Sequence, residues 1–189
     1  MILSDHSILE EIGNQRITVE PFDQALLGPS GIDLRLSNQF RVFKHTSHAF
    51  IDIREKCDYT ELVEVKDDEA FIAHPGEFVL GSALERVAFA SDLIGRLDGR
   101  SSLGRCGIII HATAGYVQPG WNGKLTLEIH NIGKLPVLLY PKMKIAQITF
   151  ERLSTPSDNP YGSAKHPGKY QNQDAPEGSK VYSEFKTGP

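Results

Sequence analysis

Cysteine is scarce in this chain of 189 residues: Cys57 and Cys106 stand far apart. They make neither a disulfide framework nor a C-x-x-C metal knuckle, and they read as two buried or idle thiols. No run of about 18 apolar residues is present to cross a membrane as a helix. The opening Met1-Ile2-Leu3-Ser4-Asp5 lacks the basic region and long apolar core of a secretion signal, so a cytoplasmic protein that engages no membrane is expected. Surplus positive charge is also missing. Lys and Arg number 20 against 24 Asp and Glu, a formal net charge of -4. A general nucleic-acid coat needs the opposite balance to neutralise phosphates, so no nucleic-acid partner is expected, although a local basic pocket is compatible with the total. Internal repeats and helices long enough for βαβ units are absent as well.

What is present is enough apolar residue, 40%, for a real core. A short helix is expected over residues 5–12, with Ser4 as N-cap, Ile8, Leu9 and Ile12 as its apolar face and Gly13 as terminator. From Ile32 onward short strands alternate with turns. Strands are expected over 32–36, 40–43, 70–72, 78–82, 125–129, 137–140 and 145–150. Turns are expected at His74-Pro75-Gly76, Gln118-Pro119-Gly120, Asn122-Gly123 and Tyr140-Pro141-Lys142. Many short strands at this spacing indicate an all-β antiparallel barrel or sandwich with a few short helices. After about Thr155 apolar periodicity stops and Pro, Gly, Ser, Asn and Gln take over, dividing the chain into 1–155 and a C-terminal segment 156–189. That segment carries four lysines and four carboxylates and is no basic arm. It reads either as a solvated tail or, given Tyr161, Lys169, Tyr170, Gln171 and Gln173, as a lid that orders over a ligand.

Residues 99–128, GRSSLGRCGIIIHATAGYVQPGWNGKLTLE, concentrate the chemistry. Arg100 and Arg105 supply planar guanidinium forks, Ser101 and Ser102 supply small donors, and Gly99 lets backbone approach a ligand, a set suited to a phosphorylated anion. Glu128 follows in a stretch whose alternation puts Leu125, Leu127 and Ile129 on one face and Thr126 and Glu128 on the other. A strand here aims Glu128 at a polar pocket. Seen alone, RSSLGR reads as an ordinary capped surface helix and Glu128 as an exposed strand carboxylate. Trp121, between Gly120 and Asn122-Gly123, reads as a packing residue of a hairpin rather than a base-stacking platform.

Seven blocks stand together in order: Ser30-Gly31-Ile32-Asp33-Leu34, Pro75-Gly76-Glu77-Phe78, Gly99-Arg100-Ser101-Ser102-Leu103-Gly104-Arg105, Thr113-Ala114-Gly115, Leu127-Glu128, Lys144-Ile145-Ala146-Gln147 and Lys169-Tyr170-Gln171-Asn172-Gln173. This order resembles that of the dCTP deaminases, relatives of the trimeric dUTPases, over nearly the whole chain. The resemblance implies a dUTPase-like distorted antiparallel β-barrel, a homotrimer with active sites at subunit interfaces, and hydrolytic deamination of dCTP. Arg100, Ser101, Ser102, Leu103, Gly104 and Arg105 are implied to hold the triphosphate and frame the reaction centre. Glu128 is implied as the proton shuttle, with Ser101, Arg105 and the Ala114 carbonyl positioning water. Gln118, Thr126, Leu127 and Gln147 are implied nucleotide contacts, and Tyr161, Lys169 and Gln173 are implied to close over the phosphates.

The same resemblance implies that magnesium arrives with the triphosphate and that dTTP acts as a feedback inhibitor. Zinc is not expected. Zinc nucleobase deaminases use H-x-E and P-C-x-x-C elements, whereas here C-x-x-C is missing and His111 and His130 have no partner at ligand spacing. Ala114-Gly115 resembles the bifunctional members, which also cleave the α–β phosphate bond and release dUMP and diphosphate to supply thymidylate synthesis. Gln118 points the other way, because it stands where the family usually carries aspartate, and an amide cannot take a proton from water. Formation of dUMP is therefore the expectation, with deamination stopping at dUTP as the alternative. A dUTPase alone is disfavoured because KYQNQ replaces the glycine-rich terminal motif. A non-catalytic nucleotide-binding module is disfavoured because Glu128 and Arg105 are retained.

Overall fold

The computed structural model describes residues 1–44, 49–113 and 115–185. Helix α1 (Asp5–Gly13) starts at the expected cap, where the Ser4 hydroxyl accepts from the Ser7 N–H at 3.4 Å. Ile8 is fully buried, but Leu9 is exposed and the inward position belongs to Glu11. Its carboxylate accepts from Arg16 Nε at 2.6 Å and pairs with Arg152, and Arg16 also reaches Asp92 at 2.6 Å, so the buried charge is neutralised within a cluster. Gly13 is still helical, and Asn14 caps the end by donating to the Glu10 and Ile12 carbonyls.

The strands are β1 (Ile17–Glu20), β2 (Leu27–Gly28), β3 (Gly31–Arg35), β4 (Gln39–Phe43), β5 (Thr60–Glu64), β6 (Phe71–Ala73), β7 (Phe78–Phe89), β8 (Leu93–Gly99), β9 (Ile108–Ile109), β10 (Tyr116–Val117), β11 (Asn122–Asn131), β12 (Val137–Leu139) and β13 (Lys144–Arg152). A four-residue helix, α2 (Ser101–Gly104), follows β8. One sheet runs β5-β4-β7-β11-β9 with β1 also on β7, a second runs β10-β8-β13-β3-β2, and β6 and β12 form a separate ribbon. All pairings are antiparallel.

The sheets close on one core because β3 and its continuation cross onto β7. Leu36 bridges Ala83, Ser37 N donates to the Ser82 carbonyl at 2.9 Å, and Arg35 N donates to Glu85 Oε2 at 2.8 Å. Glu85 is fully buried, and Arg35 Nε at 2.6 Å neutralises it. Ile32, Leu34, Phe40, Leu127, Ile129, Ile145, Ile148 and Phe150 fill the interior, so of the barrel and sandwich left open by the strand-and-turn pattern the structure is the distorted antiparallel barrel that the resemblance implies.

Most of the expected turns are present; Gly76, Gly120 and Lys142 take positive φ in three of them. Asn122-Gly123 is not a turn. It opens β11, and the reversal lies earlier, where Trp121 N donates to the Gln118 carbonyl at 3.1 Å. Strands β1, β2, β5, β8, β9 and β10 lie outside the expected set. Both cysteines are free and exposed rather than buried. No helix among the described residues is long and apolar enough to cross a membrane.

The segment after Thr155 lies along the barrel. Tyr161 N donates to the Pro119 carbonyl at 2.8 Å, Asn172 N to the Asn122 carbonyl at 2.7 Å, and Lys124 N to the Gln173 carbonyl at 2.9 Å. Gly120 permits this approach: a Cβ there would sit 2.8 Å from both Pro160 Cβ and the Tyr161 carbonyl oxygen. The last described residues of the segment form a 3-10 turn, Val181–Phe185.

Candidate active site

Strand β11 carries the central group. Its period-two alternation buries Leu125, Leu127 and Ile129 and turns Thr126 and Glu128 to the other side, as the sequence pattern predicts. Strand β9 and the residue after it run alongside β11 at the sheet edge: His130 pairs with Ile109, and Glu128 N donates to the Ile110 carbonyl at 3.1 Å. The loop then encloses the carboxylate. Ala112 N donates to Glu128 Oε2 at 2.9 Å, and the Thr113 hydroxyl lies 3.4 Å from both Glu128 oxygens. One carboxylate with a fixed orientation and lone pairs to spare is thus set in a pocket wall.

The pocket is a cavity of about 720 Å³. Of the residues predicted from sequence, Gln118, Thr126, Glu128, Tyr161 and Gln173 line it, and Trp121 contributes its buried ring, packed on Tyr161 with centroids 5.6 Å apart. Gln173 Nε2 donates to Thr126 Oγ1 at 3.1 Å and to the Lys124 carbonyl at 2.6 Å, while its Oε1 is buried with no partner among the described residues. His111 also lines the cavity, and neither of its buried ring nitrogens has a hydrogen-bond partner among the described residues. Orphaned polar atoms in a cavity wall mark a place for a polar ligand. His130 does not line the cavity and instead packs edge-on against Phe78.

Two walls were not read from sequence. One is the stretch 51–60, the other 177–182 in the terminal segment. Burial pushes the Asp58 carboxyl up, but hydrogen bonds from Arg41 and Thr60 outweigh it and hold the group below the usual carboxylate range. Asp52, hydrogen-bonded by Arg54, is held at about 2. These charged residues on an irregular stretch have no apolar periodicity to announce them.

A second group of predicted residues lies elsewhere on the chain. Arg100, Ser101, Ser102, Leu103, Gly104, Arg105 and Gln147 do not line the cavity. Ser101 and Ser102 are exposed on α2, and Arg105, also exposed, caps it by donating its N–H to the Ser101 carbonyl at 3.0 Å. Arg100 Nε lies 3.3 Å from Asp33, and Gln147 Nε2 donates to the same carboxylate at 3.1 Å. Lys169 pairs with Glu184 rather than facing the cavity. The Leu127 side chain is fully buried in the core by the same alternation that exposes Glu128, which leaves only its backbone for contact with a ligand. Ala114 lies outside the described residues. Gly115 accepts from Leu97 N at 2.8 Å, and a Cβ there would stand 3.2 Å from the Leu97 carbonyl oxygen, so the position is tight for any larger residue.

The barrel thus carries an acid in the wall of a largely apolar cavity and, apart from it, a cationic edge. The family model described as dCTP deaminase-like matches residues 2–153, and the chain belongs to that family. Among individual proteins, it is 50% identical over 190 residues to the dUMP-forming dCTP deaminase of Nocardioides sp., covering 100% of both chains. It is 49% identical over 187 residues to the protein of the same description from Corynebacterium kroppenstedtii, covering 98% of this chain and 100% of the other. The solved 2'-deoxycytidine 5'-triphosphate deaminase from Agrobacterium tumefaciens shares the fold, with a TM-score of 0.62 at 21% identity. That match covers 80% of this chain and 48% of the other, so the chain spans about half the length of that solved one.

Proposed function

We propose that this chain hydrolyses dCTP to dUMP, diphosphate and ammonia, consuming two waters. The observation that carries the reading is Glu128, held by the Ala112 N–H and the Thr113 hydroxyl in the wall of a cavity whose other polar atoms include the unpartnered His111 and Gln173 groups. Two full-length relatives near 50% identity with that activity in their names support it.

In the first half-reaction, water adds to C4 of the cytosine ring. Glu128 takes the water proton and delivers it to N3, so the C4–N3 electrons have somewhere to go. It then relays the remaining hydroxyl proton to the amino group as the C4–N4 bond breaks and ammonia departs. In the second half-reaction, water attacks the α-phosphorus and the bond to the bridging oxygen breaks, releasing diphosphate. Arg100, Ser101, Ser102 and Arg105, with the backbone of Leu103 and Gly104, bind the phosphates; Ser101, Arg105 and the Ala114 carbonyl hold the first water. Thr126, Gln118, Gln147 and the backbone of Leu127 contact the nucleoside, and Tyr161, Lys169 and Gln173 close the terminal segment over it. Magnesium enters as part of the substrate, bound by phosphate oxygens and water.

Because Glu128 and Arg105 do not share a cavity within one chain, the complete site is formed between copies, as a homotrimer with sites at its interfaces. dTTP, a pyrimidine deoxynucleoside triphosphate like the substrate, is the feedback inhibitor, and the enzyme works in the cytoplasm.

A second reading has its own observation. Gln118 lines the same cavity as Glu128 and cannot accept a proton, so the second half-reaction lacks a base and the product stops at dUTP. One experiment separates the readings. Purified protein is incubated with dCTP and magnesium, and ammonia, dUTP, dUMP and diphosphate are quantified. Ammonia, dUMP and diphosphate in equal amounts support the first reading, accumulation of dUTP supports the second, and absence of ammonia overturns both.

A further inference from the structure

Asp33 gathers donors from two separate stretches of chain. Its side chain is only 14% exposed. Oδ1 faces Arg100 Nε at 3.3 Å and Gln147 Nε2 at 3.1 Å, and Oδ2 faces Lys144 Nζ at 3.0 Å. Arg100 comes from the junction of β8 and α2; Lys144 and Gln147 come from β13, where Gln147 stands in register opposite Asp33. Residues three apart on a regular strand point to opposite faces. Here the register shifts between Lys144 and Ala146, and that bulge returns Lys144 and Gln147 to one side.

Charge and donor count give the cluster a direction. Two cations share one carboxylate, leaving a net positive charge. Arg100 commits Nε to Asp33 and leans Nη1 on the Lys144 carbonyl at 3.4 Å, which leaves Nη2 for an anion. Among the described residues Lys144 Nζ reaches only Asp33 and, at 3.4 Å, the Ala25 carbonyl, so a third hydrogen is spare. We propose that Asp33 is the positioning residue of the phosphate half of the site, holding Arg100, Lys144 and Gln147 on one face, and that Lys144 is a further phosphate-binding cation beside Arg100. The inference rests on the reading that Arg100 and Gln147 touch the nucleotide.

The test compares wild type, Asp33→Asn, Asp33→Glu and Lys144→Met. Asparagine keeps the volume but turns an amide N–H₂ toward cationic donors, so misplacement of the clamp is expected to raise KM for dCTP about tenfold or more. The fall in kcat is expected to be smaller, since Glu128 lies in the cavity, apart from this cluster, and glutamate restores part of the KM. Lys144→Met is expected to raise KM severalfold and to flatten its dependence on salt, which stands independently if Asp33→Asn fails to fold. Calorimetry with inorganic tripolyphosphate runs alongside. If wild type releases no ammonia, the deaminase reading fails, but weaker tripolyphosphate binding by the variants still supports the cluster. Unchanged KM and unchanged tripolyphosphate affinity in Lys144→Met or a folded Asp33→Asn overturn the inference while leaving deamination intact. A folded Asp33→Asn that loses melting temperature and kcat without raising KM marks a merely structural ion pair and also overturns it.

Discussion

Glu128 and Gln118 line one cavity and differ in what they can do with a proton. Replacing Glu128 by glutamine keeps an oxygen for the Ala112 N–H and removes only the proton shuttle. Ammonia release is expected to fall about 10³-fold or more while nucleotide affinity by calorimetry stays within a few-fold; retained turnover would assign the base elsewhere. Gln118→Asp tests the reading in which the product stops at dUTP: where the amide limits the second half-reaction and wild type leaves dUTP, the added carboxylate is expected to raise the ratio of diphosphate to ammonia toward one. A ratio that stays below one in the variant would remove Gln118 from phosphate chemistry. At this scale the sequence was legible where one physical rule governed. Alternation alone placed Glu128 on the polar side, and the same alternation buried the Leu127 side chain, leaving a contact role to its backbone. His111 stood out in the sequence only as a histidine without a partner at ligand spacing, because the orphaning of both its nitrogens among the described residues depends on what the loop after β9 does not bring near it.

At the scale of elements, β3, β11 and β13 could be read because apolar residues alternate between turn formers. Strand β8 could not, since Gly95 breaks its apolar pattern; a Cβ there would lie 2.9 Å from Ile148 Cδ1, so the gap in the pattern is itself a packing requirement. Strand β5 is an edge whose Glu61, Leu62 and Glu64 are exposed, which leaves no clean period. The terminal segment was ambiguous for a related reason. It is fastened by backbone hydrogen bonds to Pro119, Asn122 and Lys124 and by the Gln173 amide, none of which shows as hydropathy. Ending the chain before Lys169 removes Gln173 and the 177–182 wall but no strand of the barrel. The far-ultraviolet dichroism of the shortened protein is expected to keep its strand signature. Its KM for dCTP is expected to rise about tenfold or more as the lid contacts are lost, and an unaltered saturation curve would reduce the segment to a spacer.

The whole molecule has a net charge of -4 yet is assigned a polyanionic substrate. Attraction must therefore come from a local field, and within one chain the cationic edge at Arg100 to Arg105 is not part of the cavity that holds Glu128. Bringing a second copy's edge to the first copy's cavity resolves both facts at once, and it makes a prediction that no single-chain site shares. Glu128→Gln and Arg105→Ala should each be inactive alone. When the two are unfolded together, mixed in equal amounts and refolded, each interface draws its acid from one chain and its guanidinium from another. Chance pairs an intact Glu128 with an intact Arg105 at about one interface in four, so ammonia release should recover to about a quarter of wild type in a closed symmetric assembly. A mixture that forms hetero-oligomers, detected by a tag on one variant, and still releases no ammonia would place both residues in a site built by one chain.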